Sequence, residues 1–139
     1  MFEKEKQDIL ETALEIKRNR LVSLSGGNVS MRVGEDRYLV TPSGMAYETM
    51  TYEDVCLIDG KCRLVEGRRK PSSDSSALIY MYEHMPNVNA IIHTHQPWAT
   101  AIGFVTDELP EFLVTVIAAC HNPVKVAPFT PSSDIGMGI

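Results

Sequence analysis

Cysteine is scarce in this chain. Cys56, Cys62 and Cys120 are odd in number and show no Cys-x-x-Cys spacing, so neither a disulfide framework nor a thiolate metal centre is expected. Long apolar runs are lacking as well, and none approaches the ~20 residues of a membrane span. The opening Met1-Phe2-Glu3-Lys4-Glu5-Lys6 is too charged to begin a secretory signal. Nor is there an excess of positive charge. Thirteen Lys and Arg against eighteen Asp and Glu leave a net charge of −5, which argues against a nucleic-acid surface. Any phosphate must therefore be held locally, by backbone N–H groups and hydroxyls. With no internal repeat or linker, residues 1–139 read as one domain, and 44% hydrophobic content is enough for a core. A cytoplasmic location with no membrane partner is the expectation.

What is present begins with a helix from Glu3 to Arg20. Ile9, Leu10, Ala13, Leu14 and Lys17 fall on one stripe, and acidic residues at the start and basic ones at the end suit the helix dipole. Ser23-Leu24-Ser25-Gly26-Gly27-Asn28-Val29-Ser30 follows. Two glycines let the backbone turn closely and aim successive N–H groups into a concavity, with Asn28 adding side-chain donors. Two readings stand: a phosphate nest around Gly27 and Asn28, or a plain helix-to-strand turn. Tyr38-Leu39-Val40-Thr41 reads as a strand ending in the Pro42-Ser43-Gly44 turn. Val55–Ile58 and Cys62–Val65 flank Asp59-Gly60-Lys61 as a hairpin whose Asp-Gly pair supplies positive φ angles. Arg68 and Arg69 read as a solvated edge.

Lys70-Pro71-Ser72-Ser73-Asp74-Ser75-Ser76 opens a second helix that runs through Met85. The serines and Asp74 are N-cap candidates. Capping alone accounts for them. So does an anion site, in which hydroxyls join the free N–H groups of the helix start and Asp74 lies close to both the anion and the next strand. His84, late in the helix, reads as surface.

Asn89 and Pro97 bracket Ala90-Ile91-Ile92-His93-Thr94-His95-Gln96, a short β-branched strand. Alternation sends His93 and His95 to one face, their backbones about 6–7 Å apart. Two imidazoles on one face can hold a transition metal, or each can be satisfied separately. Beyond them a helix starts at Pro97, Thr106–Pro110 breaks it, and Phe112 to Ala119 is apolar without a clear period. Val124–Ala127 reads as a strand and Pro128–Ile139 as loop.

Gly26-Gly27-Asn28-Val29-Ser30, Thr41-Pro42-Ser43-Gly44, Pro71-Ser72-Ser73-Asp74 and His93-Thr94-His95 stand in the order and spacing of the class II aldolase/adducin family. The chain resembles that family over nearly all its length. The resemblance implies an α/β fold, a three-layer α/β/α sandwich around a mostly antiparallel sheet, with the C-terminal portion missing and a homotetramer as the assembly. It implies that Asn28, Ser43, Gly44, Ser72 and Ser73 cradle a sugar phosphate. It makes His93 and His95 two of three zinc-binding histidines, and Asp74 a catalytic acid/base and metal-proximal carboxylate. The implied activity is that of a lyase. It cleaves a ketose 1-phosphate such as L-fuculose 1-phosphate into dihydroxyacetone phosphate and an aldehyde. Zn2+, or alternatively Mn2+, stabilises the enediolate while a carboxylate moves the proton. An L-ribulose-5-phosphate 4-epimerase-like enzyme and a shortened non-catalytic member are the alternatives.

The chain departs from the family pattern in several places. The third histidine would follow Ile139, and His121 does not match it. Asp74 stands where the aldolases have glutamate and the epimerases aspartate. Thr41 occupies the place of an epimerase lysine, and Thr115 that of an aldolase tyrosine.

Overall fold

The computed structural model describes residues 1–109, 118, 122–128 and 130. They divide into two compact units, one built on residues 1–95 and the other within residues 96–129.

Helix α1 spans Glu3–Arg18, with Glu3 and Glu5 in its first turn and Lys17 and Arg18 in its last. It stops two residues short of the expected Arg20. Asn19 closes it, its backbone and side-chain N–H groups both donating to Glu15 O, and Arg20 turns to φ 57. Its buried line is Lys6, Ile9, Ala13 and Ile16. Lys17 does not close that stripe as expected. It instead sends its ammonium to Leu24 O, and Ile16 fills the place. Lys6 is buried along its stem while Nζ lies 2.7 Å from Glu66 Oε1.

Five strands form the central sheet: β1 (Asn28–Gly34), β2 (Arg37–Val40), β3 (Cys56–Ile58), β4 (Leu64–Glu66) and β5 (Ala90–His93). Their order is β4-β3-β2-β1-β5, and every adjacent pair is antiparallel. Strand alternation assigns the two faces. Val29, Leu39 and Leu57 meet Ile9, Ala13 and Ile16 of α1. Tyr38, Val40, Cys56 and Ile58 meet Leu78, Ile79 and Tyr82 of helix α2 (Ser75–His84) on the other side. Each fully buried aliphatic or aromatic side chain contributes roughly 1.5–3 kcal/mol. The two clusters therefore hold both helices against the sheet, giving the expected three layers. Burial pushes the Cys56 thiol up to about 11, so it is an inert core group.

Two local expectations need correction. The hairpin forms, but its positive φ falls on Cys62 (58°) rather than on Asp59 or Gly60. The Asp59 carboxylate explains this, because it accepts from the N–H groups of Lys61 and Arg63 and so closes a wider loop with its side chain. Arg68 and Arg69 are exposed, as expected of a solvated edge, and pair there with Glu53 and Asp54 at 2.8 Å. Met31, Arg32 and Val33 lie in a strand the sequence did not reveal.

Arg63 beside Asp59 holds that carboxyl below the usual carboxylate range, helped by the Arg63 N–H. Burial pushes Asp54 upward, but the Thr51 N–H and the Arg69 guanidinium outweigh it and leave it lowered. Lys6 lowers Glu66 against the effect of burial. Folded-state values below unfolded ones give stability that is fully present above about pH 4 and lost as pH falls through the folded values. The thermal midpoint should therefore drop between pH 5 and pH 2, by roughly a few degrees or more. Asp59→Asn should flatten that slope in thermal scans.

In the second unit, α3 (Pro97–Gly103) starts at Pro97 as expected, with the Gln96 side chain accepting from Ala99 N–H. The antiparallel pair β6 (Glu108–Leu109) and β7 (Val124–Lys125) follows, and β7 is the first half of the strand expected there. Thr115, His121 and most of the Phe112–Ala119 stretch lie outside the described residues. Among the described residues no helix is long and apolar enough to cross a membrane.

Candidate active site

The register of β1 and β5 sets Asn28 opposite His93. Alternation turns both toward the α2 side of the sheet. The flanking residues agree: Ser30 Oγ lies 2.9 Å from Tyr82 Oη on α2, and Ile91 packs in the α2 cluster.

Asp74 occupies the N-cap position of α2, yet its carboxylate does not cap the helix. Oδ2 accepts from Asn28 Nδ2 at 2.8 Å and lies 3.2 Å from His93 Nδ1, while Oδ1 accepts from Ser73 Oγ at 3.3 Å. Ser72 Oγ takes the local role by accepting from Asp74 N at 3.3 Å. With its oxygens turned to Asn28, Ser73 and His93, the carboxylate faces away from the α2 N–H groups, and the capping expectation fails for this residue.

His93 and His95 have ring centroids 4.8 Å apart, tilted by 59°. The strand expected to carry both ends at His93. His95 belongs to the following turn, where its N–H donates to Leu21 O at 3.0 Å, and the rings nevertheless meet. The paired glycines make that approach possible. A Cβ on Gly26 would lie 2.7 Å from His95 Nδ1. One on Gly27, at φ +76, would lie 2.5 Å from His93 O and 2.7 Å from Val22 Cγ1. The backbone of the Gly-Gly turn is thus fitted against the histidine segment. Tyr47 supports it from behind, donating its hydroxyl to Gly27 O at 2.9 Å. Burial pushes the Tyr47 phenol upward, so it remains a donor. No sequence signal marked Tyr47, which sits in a short 3-10 turn (Tyr47–Thr49) without periodicity.

The two hydroxyl-bearing turns also adjoin. Pro42 and Pro71 form an isolated antiparallel bridge, Ser43 N–H donates to Lys70 O at 2.9 Å, and Ser72 N–H donates to Thr41 O at 3.1 Å. Ser43, Gly44 and Ser73 are exposed, and Gly44 takes φ +71 with open space in its Cβ direction among the described residues. Asn28 is different from the other phosphate candidates. It is 1% exposed, its amide nitrogen reaches Asp74 and His93, and its Oδ1 is buried with no hydrogen-bond partner among the described residues. Such an acceptor costs about 1–3 kcal/mol.

Adjacent imidazoles beside a carboxylate are a donor set suited to zinc or manganese. The missing Cβ atoms of Gly26 and Gly27 leave the histidine segment the room it needs, and the adjoining rings of His93 and His95 are of the donor type such an ion takes. Among the described residues no group of three His, Cys, Asp or Glu side chains is arranged to hold a metal.

The chain is similar to known proteins in sequence and in fold. Residues 7–138 match the model of the Class II Aldolase and Adducin N-terminal domain. An L-ribulose-5-phosphate 4-epimerase UlaF from Salmonella paratyphi B is 39% identical over 102 residues, covering 72% of this chain and 44% of that protein. The chain thus spans less than half the length of that relative. Among solved structures, an L-fuculose 1-phosphate aldolase superposes with a TM-score of 0.85 at 28% identity, covering 93% of this chain and 61% of that one. The L-fuculose-1-phosphate aldolase of Thermus thermophilus shares the fold, with a TM-score of 0.79 at 23% identity over 94% of this chain and 64% of its own. With motif order, fold and family model in agreement, the chain belongs to the class II aldolase and adducin family.

Proposed function

We propose that this chain carries the metal- and phosphate-binding part of a sugar-phosphate lyase that cleaves a ketose 1-phosphate such as L-fuculose 1-phosphate, releasing dihydroxyacetone phosphate and an aldehyde. The observation that carries this reading is the start of α2. There Ser72 and Ser73 stand next to an Asp74 carboxylate that is bonded across the sheet to His93. His93 and His95, with Asp74 close by, would hold Zn2+ or alternatively Mn2+. When bound, such an ion supplies Lewis-acid stabilisation of the negative charge that develops as the carbon–carbon bond breaks. The hydroxyls of Ser43, Ser72 and Ser73 and the backbone at Gly27 and Gly44 would bind the phosphate. That remote binding energy fixes the reacting carbon near Asp74. Asp74 would move the proton to or from that carbon. The working assembly is a cytoplasmic homo-oligomer, as the family likeness suggests.

A second reading has its own support. Aspartate at position 74 and the 39% identity to a 4-epimerase favour inversion at C4 of a pentulose phosphate by the same bond-breaking chemistry. Product analysis of the full-length protein with added Zn2+ separates the two. The lyase reading expects saturable release of dihydroxyacetone phosphate from ketose 1-phosphates, read by coupled reduction of that product. C4 inversion with no released aldehyde would overturn it in favour of the epimerase. Absence of both products would defeat both readings.

A further inference from the structure

Two hydroxyl residues outside the proposed binding set, Thr41 and Tyr47, are each only 1% exposed, so neither hydroxyl is open to a ligand. Their side chains are hydrogen-bonded to each other. Tyr47 Oη donates onward to Gly27 O at 2.9 Å, and Thr41 Oγ1 accepts from Val29 N–H at 3.2 Å. A hydroxyl gives one proton and accepts others, so the bonds run in one direction: from Val29 N–H to Thr41, to Tyr47, to Gly27 O. No two donors oppose each other along that path. The Thr41 backbone is engaged as well, its N–H donating to Val29 O at 3.0 Å and its C=O accepting from Ser72 N–H at 3.1 Å.

Three turns are anchored on this pair. Tyr47 holds the Gly26-Gly27 turn by its carbonyl. The Ser43-Gly44 turn lies between Thr41 and Tyr47 in the chain, so the bond between their side chains closes it. The Ser72 turn is tied to the Thr41 carbonyl. Phenylalanine and valine would fill nearly the same space, so what the two hydroxyls add is the connection between turns.

We propose that Thr41 and Tyr47 are positioning residues for phosphate binding, a buried hydroxyl pair that fixes where the Gly27, Ser43-Gly44 and Ser72-Ser73 turns stand relative to one another. Donors to a phosphate must lie within hydrogen-bond range together, and a shift of about 1 Å in one turn is enough to weaken the set. The proposal rests on the functional reading for the identity of the ligand. The coupling between turns does not depend on it.

The test combines amide hydrogen exchange with calorimetric binding of dihydroxyacetone phosphate, in the full-length protein and its Tyr47→Phe, Thr41→Val and Thr41→Ser variants. Ser72 is the diagnostic amide, because its bond to the Thr41 backbone is left in place by every substitution. In Tyr47→Phe, exchange at Ser72 should quicken about tenfold or more. Affinity for dihydroxyacetone phosphate should fall about tenfold or more. In turnover, KM should rise by a similar factor while kcat stays within about threefold. Thr41→Val should do the same, and it carries the test should Tyr47→Phe fail to fold. The double variant should lose no more than the worse single one, because both cut one chain of bonds. Thr41→Ser keeps the hydroxyl and should restore wild-type exchange and affinity. Unchanged exchange at Ser72 with unchanged affinity would overturn the proposal. So would additive losses in the double variant, a fall in kcat at constant KM, or a Thr41→Ser variant no better than Thr41→Val. Wild-type protein without affinity for dihydroxyacetone phosphate, but with the expected exchange pattern, would instead defeat the functional reading and leave the coupling of the turns standing.

Discussion

Replacing Asp74 by asparagine is expected to lower kcat about 1,000-fold, within the range of general acid–base contributions, while the thermal midpoint moves by no more than roughly 5 °C. Both halves follow from where the carboxylate points. It does not cap α2, so the helix loses no hydrogen bond when the charge goes, only the attraction of that charge to its N-terminal dipole, about 0.3–1 kcal/mol. Its bonds run to Ser73, Asn28 and His93, so the site loses the carboxylate that joins α2 to β1 and β5. Kinetics and thermal melts on the same protein samples check this. A variant retaining more than about a tenth of wild-type kcat would show that Asp74 does not move the proton, whatever its stability.

Gly27→Ala should destabilise the fold by about 2–4 kcal/mol in urea titrations. The left-handed conformation at φ +76 contributes about 1–2 kcal/mol of that for any residue with a Cβ. The rest comes from overpacking, since the added carbon would lie 2.5 Å from the carbonyl oxygen of His93, a backbone atom that cannot rotate away. Relief requires the end of β5 to move off β1, which separates His93 from Asn28 and Asp74. Stability and metal affinity should therefore fall together. Against a total of about 5–15 kcal/mol for a domain, this is a severe loss. A change below about 0.5 kcal/mol would mean that the Gly-Gly turn is not the seat of the histidine segment.

The elements that sequence patterns revealed are those whose buried faces are mostly apolar. Ile9 and Ala13 mark α1 by spacing, and Leu39, Val40, Leu57 and Ile58 mark strands buried on both faces. β1 escaped because its α2 face is Asn28, Ser30 and Arg32. These residues read as polar but find partners inside the fold: Ser30 in Tyr82, Arg32 in the carbonyls at the C-terminus of α2. Alternation cannot distinguish a hydrogen-bonded interior from solvent. The site shows the same divide. His93, His95 and Asp74 stand out by spacing and family likeness; the two imidazole rings adjoin, and Asp74 reaches His93. Which donor each oxygen of Asp74 would take was not legible. That depends on the β1–β5 register and on the position of the α2 N-terminus, both tertiary properties. The Gly26–Gly27 pair reads as a phosphate nest or a turn, whereas its steric role against His93 and His95 depends on how the turn packs on the histidine segment.

The proposed lyase requires the histidine pair, Asp74 and the serine turns to act on one substrate. Zinc affinity measured calorimetrically with and without dihydroxyacetone phosphate tests it most directly, because a ligand that contacts both the ion and the serine turns couples their binding. The account predicts zinc binding about tenfold or more tighter in the presence of the phosphate ester, with the coupling abolished in Ser72→Ala/Ser73→Ala. Equal zinc affinity in both conditions would contradict it.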